Sequence, residues 1–203
     1  MDAKRYAVAT QRNREPILKV LQKVLPSEGN ILEIASGTGE HAVFFASQLQ
    51  GCQWYPSDRD SSLRDSIVAW SKECSTDNLH PPLDIDASSE PWSIETAAIS
   101  IDAIVNINMI HIAPFSACEG LMAGAGRILP PGGILYLYGP YKREGKHISV
   151  SNEAFDKSLR DRDSRWGVRQ LEDVIAVAQK ANLTLQEVIA MPANNLSVIF
   201  RKK

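Results

Sequence analysis

Residues 31–43 read ILEIASGTGEHAV, an apolar run followed by a turn built on Gly37 and Gly39 and then by a helical pattern. Glycine admits backbone angles that other residues resist, and it lets main-chain N–H groups approach a ligand closely. A strand, a glycine turn and a helix in that order aim the positive end of the helix at whatever sits over the turn. The alternation continues downstream. Strand-like runs at 30–35, 52–58, 81–87, 101–108 and 134–139 are separated by helical spacings, among them Leu63–Cys74, Ser93–Ala98 and Phe115–Leu129. Strands alternating with helices predict a parallel sheet covered on both faces, and the near-continuous apolar run IDAIVNIN suits such a doubly covered strand. Two last runs, 183–191 and 196–202, flank the short turn PANN and predict an antiparallel end to the sheet. Before the first strand, Pro16 is expected in the first turn of a helix whose apolar face is Ile17, Leu18, Leu21, Val24 and Leu25.

Composition narrows the function. At 203 residues, 44% hydrophobic and 23% charged, the chain is sized for one globular domain, and no linker or repeat divides it. A formal net charge of −2 gives no strong nucleic-acid signal, although Lys142, Arg143 and Lys146 cluster, as do Arg160, Arg162, Arg165 and Arg169. Cys52, Cys74 and Cys118 are scattered, as expected of reduced thiols. The four histidines lack metal-ligand spacing, so no metal is expected. A polar N-terminus and the lack of any membrane-length apolar stretch lead to the expectation of a cytoplasmic protein. The oligomeric state stays open.

The turn supports two ligand readings. Gly37-x-Gly39-x-x-Ala42 fits a dinucleotide fingerprint. Glu33-x-Ala35-x-Gly37-x-Gly39 resembles the acidic-x-Gly-x-Gly-x-Gly pattern of class I methyltransferases, which bind S-adenosylmethionine (AdoMet), with Ala35 in place of the first glycine. The second reading uses Glu33, which can orient the loop and a cationic amino-acid group. Ala35 is expected to keep an ordinary backbone angle. Asp58 ends the second strand, about 20 residues past the turn, where an acid pairs with ribose hydroxyls; its rival role is the helix N-cap, for which Asp60 serves equally. Asp86 and Ala87 are the expected adenine contacts, with Asp84 the competitor on the same strand face. Asn106, Asn108 and His111 follow the fourth strand, where cofactor and substrate would meet, and His111 is a candidate proton acceptor or a loop-shaping residue.

Several stretches together, ATQRNREPIL, EIASGTGEHAVFFA, HPPLDIDASSEPW, NINMIHIAPF, GLMAGAGRIL, LYGPYKREG, SNEAFDKSLRDRDSRWGVRQLEDV and MPANNLSVIFRK, resemble the family called domain of unknown function 938, whose animal members are described as methyltransferase-like protein 26. The resemblance spans nearly the whole chain. It implies a single-domain (1–203) Rossmann-like class I methyltransferase fold: an α/β architecture with a mostly parallel seven-stranded sheet, an antiparallel C-terminal strand, and residues 1–28 as an N-terminal lid and helix. The expected cofactor is AdoMet, with S-adenosylhomocysteine as product. Its shell would be Glu33, Ala35, Ser36, Gly37, Thr38, Gly39, Asp58, Arg59, Asp86, Ala87, Asn106 and Asn108.

His111, Asn108 and Tyr141 are the expected catalytic residues. Arg12, Asn13, His111, Tyr141 and Asn195 are expected to wall a pocket for a small polar or anionic substrate. A nicotinamide-dependent oxidoreductase and a catalytically silent AdoMet-binding protein are the alternatives.

Overall fold

The computed structural model describes residues 3–97 and 99–203; Met1, Asp2 and Ala98, the last residue of the expected 93–98 helix, lie outside the described residues. The chain opens with α1 (Val8–Val24) and β1 (Gly29–Ile34), then α2 (Glu40–Gln48), β2 (Cys52–Pro56) and α3 (Ser61–Ser71). A 3-10 turn at Ser93–Thr96 precedes β3 (Ala103–Ile107), another at Met109–His111 follows it, and α4 (Phe115–Ile128) leads to β4 (Ile134–Gly139). Next come β5 (Tyr141–Arg143), β6 (Lys146–His147), α5 (Val150–Arg162), β7 (Arg169–Gln170) and α6 (Leu171–Lys180). The chain closes with β8 (Leu183–Met191) and β9 (Asn195–Lys202).

Among the described residues the main sheet has six strands in the order β2-β1-β3-β4-β9-β8. β1 pairs in parallel with β2 and β3, and β3 with β4, while β9 lies antiparallel between β4 and β8. Alternation along the strands feeds two cores. Leu32, Ile34, Leu135 and Leu137 pack with α4 and α6, and Ile31, Val105, Tyr136 and Tyr138 pack with α1 and α2. Helices therefore cover both faces, as parallel pairing requires.

Two expectations change, and one small sheet is added. The stretch 81–87 does not form a regular seventh strand; it runs beside β2 through two isolated parallel bridges, Trp54 to Leu79 and Ser57 to Leu83. Pro81 and Pro82 sit between those bridges and have no N–H to donate, which breaks the ladder. The first helix starts at Val8, so Pro16 lies inside it; its first turns carry charged and amide side chains and show no apolar period. Residues 140–150, which lack a period, supply two strands of a small second sheet, β6-β5-β7.

Candidate functional site

The carboxyl ends of β1, β2 and β3 open on a cleft of about 320 Å³. Strand order reverses here, since the chain leaves β1 for β2 on one side and returns with β3 on the other, and open α/β sheets bind ligands at such points. Ala35 and Gly37 form one part of its wall, Asp58 and Arg59 another, and Ile85, Asp86 and Ala87 a third. Ile107 and Met109 continue it from the end of β3, and Ile112, Pro114 and Trp166 close the outer side.

The glycine turn is held by a local hydrogen-bond web. Ser36 N–H donates to Ser57 O at 2.7 Å, Ser57 Oγ donates to Glu33 O at 2.7 Å, and Ser57 N–H donates to Ser36 Oγ at 3.1 Å. Asp58 accepts Gly37 N–H at 3.0 Å on one oxygen and Asp60 N–H at 3.0 Å on the other. Asp60, not Asp58, caps α3, accepting from Ser62 N–H at 2.8 Å. That leaves Asp58 buried at the cleft with acceptor capacity to spare.

The two glycines differ. A Cβ on Gly37 (φ +59°) would meet no atom within 4 Å, whereas one on Gly39 (φ +93°) would stand 2.8 Å from Ile67 Cα. Gly37 thus faces open space at the cleft, and Gly39 lets α3 pack closely. Ala35 departs from expectation, because its φ of 57° places it in the left-handed region, a conformation that costs an L-residue about 1–2 kcal/mol. The turn folds this way despite the missing first glycine.

Glu33 lies beneath the turn, fully buried, with Oε2 accepting from Trp54 Nε1–H at 2.9 Å. Burial pushes its carboxyl up to about 7. Asp86 lines the cleft and accepts from Ser88 N–H at 2.9 Å and Arg59 Nη1 at 3.3 Å. Asp84 is exposed and ion-paired to Arg64 at 3.0 Å, which takes it out of contention. Asn106 Nδ2 donates to Ile34 O at 2.8 Å, while its Oδ1 is buried without a protein partner.

Residues 4–202 match the family described as "Protein of unknown function (DUF938)". The chain belongs to this family. The DUF938 chain shares its fold with solved methyltransferase structures of low identity. One is an O-methyltransferase family protein from Burkholderia thailandensis, with TM-score 0.79 and 11% identity over 96% of this chain and 57% of that one. A second is an O-methyltransferase family 2 protein from Planctomyces limnophilus DSM 3776 in complex with apigenin, with TM-score 0.77 and 17% identity over 97% and 60%. A third is human N-acetylserotonin methyltransferase in complex with SAM, with TM-score 0.74 and 14% identity over 96% and 52%. The DUF938 chain therefore spans between about half and three-fifths of the length of these proteins, and what it shares with them is the fold.

Of the residues singled out in the sequence, Ala35, Gly37, Asp58, Arg59, Asp86 and Ala87 line one cleft. Glu33, Ser36, Thr38, Gly39 and Asn106 are not among the residues that line it. Asn108 adopts φ 64° between Ile107 and Met109, its N–H donating to Tyr138 O at 2.8 Å.

His111 as a proton acceptor is corrected. Its ring is fully buried, edge-on to Tyr141 at 4.9 Å, and Nδ1 accepts Arg169 N–H at 3.3 Å. With Nδ1 so engaged the ring proton sits on Nε2, and burial depresses the imidazole to about 3. Tyr141 is equally sealed, so neither residue walls a pocket. Asn13 Oδ1 instead bonds His41 Nε2 at 2.8 Å, Asn195 Nδ2 donates to Pro192 O at 3.3 Å, and Arg12 is exposed on α1. The five expected substrate residues therefore divide into a buried pair, an amide pair and a surface arginine. Sequence reasoning missed Met109, Ile112, Pro114 and Trp166 as cleft residues; their only sequence signal was a place in loops that follow strand ends or lie beyond α5.

Proposed function

We propose that the chain is a class I AdoMet-dependent methyltransferase acting on a small polar molecule. The observation that carries this reading is the pairing, in one cleft, of an open Gly37 with two carboxylates and an apolar wall. A ribose diol and an adenine amino group are both hydrogen-bond donors, and Asp58 and Asp86 have acceptor capacity where those groups would lie. Ile85, Ala87 and Met109 give the flat apolar surface that a purine needs. A ligand bearing an ammonium group would also supply the donor that Asn106 Oδ1 lacks.

AdoMet supplies an electrophilic methyl group on sulfur, so the chain's own task is mainly to orient the acceptor and exclude water. Gly37 and Ala35 would hold the amino-acid end, Asp58 the ribose, and Asp86 with Ala87 the base. His111 is fully buried and its imidazole is depressed to about 3, which makes it a poor base near neutral pH, so the reading assigns an acceptor atom that is already nucleophilic there. The N-terminal segment serves as a cover for the turn: Ala7 N–H donates to Glu40 Oε2 at 2.6 Å, and Thr38 Oγ1 donates to the same oxygen at 3.0 Å.

Calorimetric titration with AdoMet, S-adenosylhomocysteine, NAD and NADP tests the reading. Binding of the two adenosyl sulfur compounds without a response to either dinucleotide is expected. A dinucleotide preference would replace the methyltransferase reading with that of an oxidoreductase.

A further inference from the structure

The stretch SRWGVR (164–169) plays no part in the strand–turn–helix logic of a nucleotide site, yet Asp163, Arg165 and Trp166 line the cleft. The segment is pinned from two directions. On one side, Asp156 in α5 accepts Val168 N–H at 2.7 Å and is itself held by Lys142 at 2.8 Å and Arg160 at 3.2 Å. On the other, Gly167 N–H donates to His111 O at 2.9 Å and Arg169 N–H to His111 Nδ1 at 3.3 Å. The Arg169 guanidinium spans three main-chain carbonyls, Ile110 O at 2.8 Å, Ala113 O at 2.6 Å and Arg165 O at 2.8 Å, and lies 5.4 Å from the Phe115 ring centroid. This staple ties the loop after β3 to the loop after α5, and together they make the outer wall.

Within that wall the Trp166 ring is backed by the Arg162 guanidinium, 5.1 Å from its centroid. A planar aromatic group backed by a cation and bordering a cleft whose other walls include Ile85 and Ala87 is a stacking surface for a flat heteroaromatic ring. We propose that Trp166 stacks on the base of the bound adenosyl ligand, and that Arg169 and His111 are positioning residues that hold it there. This inference rests on the AdoMet reading. It gives the buried His111 a structural task in place of proton transfer: its carbonyl and Nδ1 hold residues 167 and 169. It also accounts for arginine at 169, since lysine carries a single ammonium and cannot bridge three carbonyls in a fixed fork.

The test is calorimetric titration of the full chain with S-adenosylhomocysteine and with adenosine, for wild type, Trp166→Phe, Trp166→Ala and Arg169→Lys, with a thermal melt of each. Trp166→Ala is expected to weaken both ligands by a similar factor, on the order of tenfold, while Trp166→Phe keeps most of the affinity. Arg169→Lys should weaken both ligands and abolish the ligand-induced change in tryptophan emission that is expected of wild type and not of Trp166→Phe. If Arg169→Lys fails to fold, the two tryptophan variants decide alone. Wild-type affinity in a folded Trp166→Ala, or loss confined to S-adenosylhomocysteine with adenosine unaffected, overturns the stacking role and leaves the AdoMet reading intact. A wild-type chain that binds neither ligand overturns both.

Discussion

Asp58 and Asp60 stand two residues apart and do different work. Asp60 satisfies the first turn of α3, whereas Asp58 holds Gly37 N–H and the main chain at residue 60. Asp60→Ala should therefore cost about 1 kcal/mol of stability and leave affinity for S-adenosylhomocysteine unchanged. Asp58→Asn should lower both stability and affinity by roughly 1–3 kcal/mol. Denaturant melts and calorimetry on the two variants separate these roles, and equal affinity losses would mean that the cap itself shapes the site. Glu33 has a different signature. Its carboxyl is raised from an ordinary value of 4.5 to about 7 by burial. The folded chain thus binds this proton more tightly than the unfolded one, so the contribution to stability is full below about pH 4.5 and is lost as pH rises through about 7. Glu33→Gln removes that dependence and can keep the acceptor for Trp54. Its stability relative to wild type should rise between pH 5 and pH 8, by at most on the order of 3 kcal/mol. A pH-independent offset would show that Glu33 does not titrate as its burial demands.

The glycine turn separates packing from binding along a few residues of one element. Gly39→Ala drives a Cβ against the α3 backbone and should destabilise the ligand-free chain clearly. Gly37→Ala meets no neighbour, so its cost is the left-handed strain of about 1–2 kcal/mol, and its main effect should be loss of S-adenosylhomocysteine affinity. A Gly37→Ala chain with unchanged affinity would take the turn out of the site. At Ala35, where the left-handed angle is already strained, Ala35→Gly should gain roughly 0.5–1 kcal/mol in a denaturant melt. The sequence pattern could not reveal that strain. A motif position is read by residue type, and the serine web that forces the angle joins β1 to β2 across the sheet. Element boundaries failed for similar reasons: α1 begins eight residues before Pro16 because its polar first turns have no apolar period, and 81–87 alternates like a strand although its prolines cannot complete a ladder.

Across the whole molecule, the mostly parallel sheet with helices on both faces and an antiparallel end was legible, because apolar alternation and helical spacing record burial directly. The half of the cleft made by Ala35, Gly37, Asp58, Asp86 and Ala87 was legible too, since each residue ends or follows a run whose alternation reads as a strand. The outer wall was not. Trp166 and Met109 share one cleft with Arg169 tying a distant loop onto the segment after β3, and no spacing in the chain encodes that arrangement. His111 misled for the same reason. A histidine after a strand resembles a base until the packing of residues 167–169 against it is seen. The most direct measurement is a crystal structure of the chain with S-adenosylhomocysteine. The expected result places the ribose hydroxyls on Asp58, the amino-acid end over Gly37, and the base beside Asp86 and Ala87 beneath Trp166. A ligand bound away from the carboxyl ends of β1 and β2, or bound there with its ribose off Asp58, would contradict the account.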